Sequence, residues 1–434
     1  MNIIIAGAGK VGFNLARTLS IGHNVIVIDK NVEALNRIQE MLDIMPMQGN
    51  IEDCKTFEAV TQKQIDLFIA VTNFDNINLI SAMVIDLVLD VKRKFIRLQN
   101  HYFDHDMIKQ RLQIDKFIFP MQLASNTVMS LLKYSKANNV KTFYYTDFKL
   151  ISVLVPSDFN TQIFSFNDFK IVGIERDKEF FITNQDVVKV EPNDMVYYFG
   201  LEDDMKLLTQ DVDKTIKKCA VFGADKLGIT IVSDLIKFGC EVKLIEKDLE
   251  LCRKADVKLN GKAEIINFKY GSHEIFDMEG LDNADIFITT TNNDEFNIIK
   301  CLEAKDSGIE KVVAINNEIE YYNLMHSLNI TAVRGPKMSA YHKIMEEISS
   351  SGVVIKKHFC GGKAMVFMRK IFKNSKFIGK KLKPIKLPNS SLFYISNGVL
   401  QVFSEKIVLQ ENDLIISFCV ENDGGKVQRW IYEL

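Results

Sequence analysis

The 434-residue sequence repeats itself near its midpoint. Gly7-Ala8-Gly9-Lys10-Val11-Gly12 returns 216 residues later as Gly223-Ala224-Asp225-Lys226-Leu227-Gly228, and Val25-Ile26-Val27-Ile28-Asp29-Lys30 returns after 217 as Val242-Lys243-Leu244-Ile245-Glu246-Lys247. Ala70 to Asn78 matches Thr289 to Asn297, and Glu191 to Phe199 matches Gln410 to Phe418, both at 219. Landmarks that keep their spacing along the whole chain imply a duplication with few insertions, so both halves must reach the same fold.

Each half divides by texture. Its first ~120 residues alternate short β-branched runs (Ile3 to Ala6, Val25 to Ile28, Leu67 to Val71, Phe95 to Leu98) with segments of helical period such as Asn76 to Asp90, the pattern of βαβ units on a parallel sheet. The remainder, Lys141 to Gly200 and Gly362 to Val420, reads as short strands separated by turn residues. The expected fold is α/β, with two tandem Rossmann-like parallel-sheet domains (1–120 and 217–336), each followed by a small α+β module (139–212 and 355–434). Gln122 to Ala137 and Met338 to Ser349 are expected as connecting helices. The helix over Asn76 to Asp90 should carry an apolar stripe of Ile77, Ile80, Val84, Leu87 and Val88, a face through which N-domains would pair within or between chains of a homo-oligomer.

Composition removes several function classes. With 54 Lys and Arg against 56 Asp and Glu, the chain lacks the positive field of a nucleic-acid binder. Its seven cysteines include no CxxC pair, which argues against a disulfide framework or a zinc knuckle. The first strand begins at Asn2, leaving no basic n-region of an export signal, and the apolar stretch Leu79 to Val91 is too short to span a bilayer. A membrane role is therefore expected to be peripheral.

Gly7-x-Gly9-x-x-Gly12 follows an apolar strand and opens a helix, with Asp29 at the end of the next strand. That is the context of a dinucleotide fingerprint: the first glycine makes a tight turn, the second lets backbone N–H groups approach a pyrophosphate, and the third packs helix on strand. Asp29 is placed to accept from ribose hydroxyls and would repel a 2′-phosphate, which favours NAD(H) or ATP/ADP over NADP(H). Thr72 and Asn73, after the strand Leu67 to Val71, fall at the carboxyl edge, where they would line the crevice or cap the next helix. Arg97 near the same edge is expected to pair with a phosphate or with a surface carboxylate. His101 and His105, at i and i+4 beside Asp104 and Asp106, would hold a metal only on a continuous helix, and a solvated first helical turn is the plainer reading. Phe143-Tyr144-Tyr145 reads as core or dimer contact.

The order of these motifs, GAGKVG, VIDK (27–30), QGN (48–50) and AVTNFDNIN, then GADKLG, LIEKD and TTTNNDEFN, resembles the TrkA-type regulatory subunits of bacterial Trk/Ktr potassium uptake systems, built from tandem RCK (KTN) N- and C-domains. The resemblance spans essentially the whole chain. It implies a cytoplasmic homo-oligomer, dimer or tetrameric ring, on the inner face of the cell membrane, gating a TrkH/TrkG-like channel or transporter subunit. It also implies NAD(H) and/or ATP/ADP as regulatory ligands held by Gly7, Ala8, Gly9, Lys10, Val11, Gly12, Asp29, Thr72, Asn73 and Arg97, with no enzymatic activity.

The sequence departs from that pattern. Gln99 stands where many relatives carry a second arginine. In the second half Asp225 replaces the middle glycine, and Ala314 and Asn316 are read as matching Arg97 and Gln99, so that site is expected to have lost nucleotide. An NAD-dependent oxidoreductase and a non-sensing scaffold of the channel are the rival readings. Against the first stands the shortage of candidate proton donors in the modules, where 139–212 has no histidine and 355–434 only His358.

Overall fold

The computed structural model describes residues 1–434 apart from 62–63, 135–136, 144, 156, 158–161, 166–168, 178, 184–186, 202–215, 269–273, 350–353, 374, 386 and 388. The chain forms two compact units, 1–126 with 334–345, and 127–333 with 346–434.

The first unit is built on a parallel sheet of β1 (Asn2–Ala6), β2 (Asn24–Asp29), β3 (Met45–Gln48), β4 (Leu67–Ala70), β5 (Lys94–Arg97) and β6 (Lys116–Ile118), in the order β3-β2-β1-β4-β5-β6. Ile3, Ile4, Ile5 and Ala6 are fully buried, as the central strand of a sheet covered on both faces must be. Helices α1 (Lys10–Leu19), α2 (Val32–Met41) and α3 (Asp75–Ile85) provide the crossovers. The order reverses at β1, so its carboxyl end and that of β4 open a crevice at the switch point.

α3 is shorter than its periodicity predicts. Asp86 ends it and turns its carboxylate onto the ammonium of Lys94, a buried lysine of β5, which leaves Leu87 and Val88 in the turn beyond. The outward apolar side chains are therefore Ile80 and Met83 on the helix and Leu87 after it, 76% exposed.

The second unit repeats the sheet with β7 (Lys218–Phe222), β8 (Glu241–Glu246), β9 (Glu264–Asn267), β10 (Ile286–Thr289), β11 (Lys311–Asn316) and β12 (Thr331–Arg334), in the order β9-β8-β7-β10-β11-β12. α5 (Lys226–Phe238) follows β7, and α6 (Asp294–Asp306) follows β10. This unit also holds a two-stranded antiparallel ribbon, Gln162–Ser165 with Val187–Val190, and two five-stranded antiparallel sheets. One runs Glu179–Ile182, Phe169–Arg176, Met195–Gly200, Thr146–Leu154, Ala137–Phe143, and the other Val354–Phe359, Ala364–Lys370, Leu414–Val420, Ser390–Ser396, Val399–Val402. They share one core, in which Phe143, Phe148, Phe199, Phe359 and Phe418 meet, with the Phe199 and Phe418 rings 5.2 Å apart. Phe143 is thus core and Tyr145 packs against that core, whereas Tyr144 lies outside the described residues.

The connecting helices begin earlier than expected, at Pro120 and Pro336, where a proline's missing N–H costs nothing in the first turn. The first, α4 (Pro120–Lys133), also ends earlier, because Ala137 already starts a strand. α7 (Pro336–Ser349) lies against α1, with the Tyr341 hydroxyl 2.8 Å from Thr18 Oγ1. Among the described residues no helix is long and apolar enough to cross a membrane.

Candidate functional site

The glycines of the first loop divide the work as their positions require. Gly7 takes φ +117°, a conformation open to glycine, and a Cβ there would lie 3.2 Å from the Thr72 nitrogen. A Cβ on Gly12 would stand 1.8 Å from the Gly7 carbonyl oxygen, so only glycine lets the first turn of α1 sit on the loop. At Gly9 a Cβ would meet nothing within 4 Å. The middle glycine is thus dispensable to the fold, and its lack of a side chain matters only to whatever approaches from outside. Gly9 is the N-cap of α1 and supplies no side-chain acceptor, so this helix presents its N-terminal dipole and backbone donors to the crevice. Lys10 and Val11 form the first turn behind it, Val11 with its side chain buried.

Asp29 closes the loop from β2. Its Oδ2 accepts from the Ala8 N–H at 2.6 Å and its Oδ1 from Asn31 N–H at 2.9 Å. Half-buried, each oxygen keeps a further lone pair for a hydroxyl. Lys30 beside it is drawn off to Glu52, 3.4 Å away.

The third side of the crevice is the segment after β4. Thr72 and Asn73 do not cap α3, whose N-cap is Phe74 with no side-chain bond. They are held instead by tertiary contacts. Asn78, fully buried, accepts from the Thr72 N–H (3.1 Å) and hydroxyl (2.6 Å) and donates to the carbonyls of Thr72 (3.1 Å) and Arg97 (2.8 Å), fastening the end of β4 to the end of β5. Asp75 accepts from the backbone of Gln99 (2.7 Å) and Asn100 (3.0 Å) and so fixes the chain leaving β5. Arg97, 6% exposed, donates to Asn73 Oδ1 at 3.1 Å and to the Val71 carbonyl at 3.3 Å. Its Nε has no partner among the described residues. Burial lowers its pKa, partly countered by the nearby Asp75 charge. Arg97 thus ends β5 at the carboxyl edge of the sheet, where a guanidinium is of the kind that pairs with an anion. Gln99, at the position of the second arginine of many relatives, donates to the Asn73 carbonyl.

The second half rebuilds the scaffold and closes the site. Asn297 binds Thr291 and the Ile315 carbonyl as Asn78 binds Thr72 and Arg97, and Asp294 takes the backbone N–H groups of Asn317 and Glu318. Asp225, however, caps α5: its Oδ1 accepts from Gly228 N–H at 2.9 Å, occupying the place an anion would take. Burial raises its pKa, against the backbone N–H groups of Gly228 and Leu227 that bond the charged form. Glu246, the counterpart of Asp29, is 7% exposed.

The hydrogen bonds also correct the register of the comparison between halves. The residue bonded to Asn297 as Arg97 is to Asn78 is Ile315, and Asn317 takes the place of Gln99, so Ala314 and Asn316 are each one position short. In a strand that shift exchanges the two faces. The cation is missing either way.

His101 and His105 do not share a helix. His101 stands in a short turn with its ring stacked on Phe119 (4.0 Å), and His105 precedes the helix Asp106–Arg111, its Nδ1 accepting from Met107 N–H. The structure thus brings Gly7 to Gly12, Asp29, Thr72, Asn73 and Arg97 to one sheet edge. Sequence reasoning passed over Asn78 and Asp75 as site builders. The signal was there: Thr-Asn-x-Asp-x-x-Asn occurs in both halves, polar where a crossover helix should turn inward.

The TrkA-N domain model matches residues 3–120 and again 219–336, together more than half of the chain. The Trk system potassium uptake protein TrkA homolog of Archaeoglobus fulgidus is 26% identical over 401 residues, 90% of each chain. The Trk system potassium uptake protein TrkA of Halomonas elongata is 23% identical, covering 97% of this chain and 96% of the relative. Among solved structures, the GsuK RCK domain superposes with a TM-score of 0.61 at 14% identity (100% of this chain, 95% of that one). The GsuK channel bound to NAD superposes with 0.63 at 13% (100% and 79%).

Proposed function

Because the chain belongs to the TrkA-N domain family through both of its halves, we propose that it is the nucleotide-sensing regulatory subunit of a membrane potassium uptake system. It acts from the cytoplasmic face on a TrkH/TrkG-like subunit. Its ligands are NAD(H) or ATP/ADP, bound in the first N-domain (1–120), while the second (217–336) serves as scaffold and the modules 139–212 and 355–434 hold the assembly together. The observation that carries this reading is the contrast between two otherwise duplicate loops. The α1 N-terminus has no side-chain cap and shares its sheet edge with the buried Arg97, whereas its copy on α5 is capped by Asp225.

In this role the chain's residues bind and report. The α1 N–H groups and Arg97 hold the phosphates, Asp29 takes the ribose hydroxyls, and Thr72 and Asn73 form the wall that Asn78 and Asp75 connect to β5. A ligand that draws Arg97 forward pulls on Asn73 and on the end of β4, and only a difference in affinity between two arrangements converts that pull into gating. Calorimetric titration of the purified chain with NADH, NAD, ATP and ADP is expected to show binding by at least one of them without turnover. Arg97→Ala should weaken it about 10- to 100-fold, the loss of a charge-assisted bond to a phosphate. Failure of all four ligands to bind, or steady consumption of a nicotinamide cofactor with a small substrate, would overturn the reading.

The proposal includes a closed homo-oligomer. Ile80, Met83 and Leu87 are 38%, 52% and 76% exposed, an apolar surface of the kind that copies cover. Light scattering at micromolar concentration is expected to give a multiple of the 49.6 kDa chain mass, and Met83→Lys with Leu87→Lys to lower it. A monomeric wild type contradicts this part.

A further inference from the structure

The second half carries a charge concentration that the first half lacks. From Arg369 to Lys386 the sequence has eight basic residues and no acidic one, within a chain of net charge −2. The segment 219 residues earlier, 150–167, has neither lysine nor arginine and one acid, Asp158. Two halves that reach the same fold with such different charge show that the fold does not require lysines here.

In the chain these residues run from the end of the strand Ala364–Lys370 toward the strand Ser390–Ser396. Arg369 is occupied, donating to the carbonyls of Ile431 and Tyr432, and Lys370 lies over the rings of Tyr145 and Phe372. Lys373, Lys376, Lys380, Lys381 and Lys383 are exposed, and none of them makes an ion pair with a carboxylate among the described residues. Between them Phe372 and Ile378 show 39% and 37% of their surface. The adjacent segment adds Glu405, Lys406 and Glu411, a net of one negative charge, so the surface stays strongly positive. Unpaired like charges on one loop repel, a cost that an extended anionic partner removes.

We propose that the exposed lysines described between Lys370 and Pro384, with Phe372 and Ile378, form a docking surface for an anionic lipid bilayer. The lysines lie among the headgroup phosphates, and Phe372 and Ile378 enter the boundary with the acyl chains. Lysine, a point charge on a flexible stem, suits a diffuse sheet of headgroups, and apolar side chains between the charges gain from a surface that has an apolar interior. A long nucleic acid is the poorer fit. It would run on past this loop over the rest of a chain whose charge is slightly negative, and the loop has no exposed arginine for bidentate phosphate contacts. The inference rests on this loop alone and is independent of which nucleotide the first half binds.

Co-sedimentation of the full chain with phosphatidylcholine vesicles, with and without phosphatidylglycerol, tests it. Binding is expected to the anionic vesicles alone and to fall at high salt, where the Debye length shrinks to a few Å. Each lysine near an anionic surface strengthens partitioning about fivefold. The variant carrying Lys376→Gln, Lys380→Gln, Lys381→Gln and Lys383→Gln should therefore bind at least about a hundredfold more weakly, with an unchanged circular dichroism spectrum. Phe372→Ser with Ile378→Ser should weaken binding while leaving its salt dependence intact. Any of four results overturns the proposal: no vesicle binding, equal binding to neutral vesicles, undiminished binding by the four-lysine variant, or displacement from vesicles by an oligonucleotide or by inorganic phosphate at equal charge.

Discussion

Gly9→Asp is expected to weaken nucleotide binding by two to three orders of magnitude while the protein remains folded. Two effects add. A carboxylate about 4 Å from a phosphate costs between ~1 kcal/mol in water and ~4 kcal/mol at an effective dielectric of 20, and the exposed Gly9 lies between these limits. The new side chain would also cap α1 as Asp225 caps α5, so the ligand must first displace a bond worth about 1 kcal/mol. The fold should not suffer, since a Cβ at Gly9 has open space and aspartate is a better N-cap than glycine. Thermal unfolding should therefore occur at the wild-type temperature or slightly above it. Calorimetry of the wild type should give one nucleotide per chain. Asp225→Gly should restore at most weak binding to the second half, where Ile315 stands in place of Arg97 and Glu246 is sealed in. Two tight sites in the wild type, or full affinity in Gly9→Asp, would mean that the wrong half has been taken for the sensor.

Asn78→Leu should destabilise the first N-domain by about 3 kcal/mol and abolish nucleotide binding with it. Asn78 is fully buried and satisfies four groups at once. Leucine has a similar volume but no polar atom, so the Thr72 N–H and the Thr72 and Arg97 carbonyls lose their partner, at roughly 1 to 3 kcal/mol for each that stays dry. Thr72 is half-exposed and can turn to water, which keeps the sum near the lower end. Amide hydrogen exchange should show faster opening of β4 and β5. Asn297→Leu should open β10 and β11 in the same way but leave nucleotide affinity as it was. A loss below 1 kcal/mol for Asn78→Leu with normal binding would show that the clamp does not hold the site.

The two asparagines also indicate what could be read without coordinates. The duplication, the parallel-sheet halves and the glycine loop followed by an acid were legible, because each depends on residues close in the chain: a period of two or 3.6, a tight turn, the strand that ends in Asp29. The closing of the second loop was legible as charge, and the structure adds that Asp225 spends that charge on its own helix. What the sequence left open concerns partners far along the chain. Thr72 and Asn73 looked like caps for the next helix, but Asn78 of α3 takes up Thr72, and because the sheet order places β5 beside β4, Arg97 takes up Asn73 from the neighbouring strand. Whether Ala314 or Ile315 stands for Arg97 turns on one residue of register, which motif spacing cannot fix when the offset between the halves drifts from 216 to 219. Hydrophobic periodicity specifies that a strand is buried, whereas the sheet's hydrogen-bond register specifies which polar group faces which, and that is settled only when the whole sheet closes.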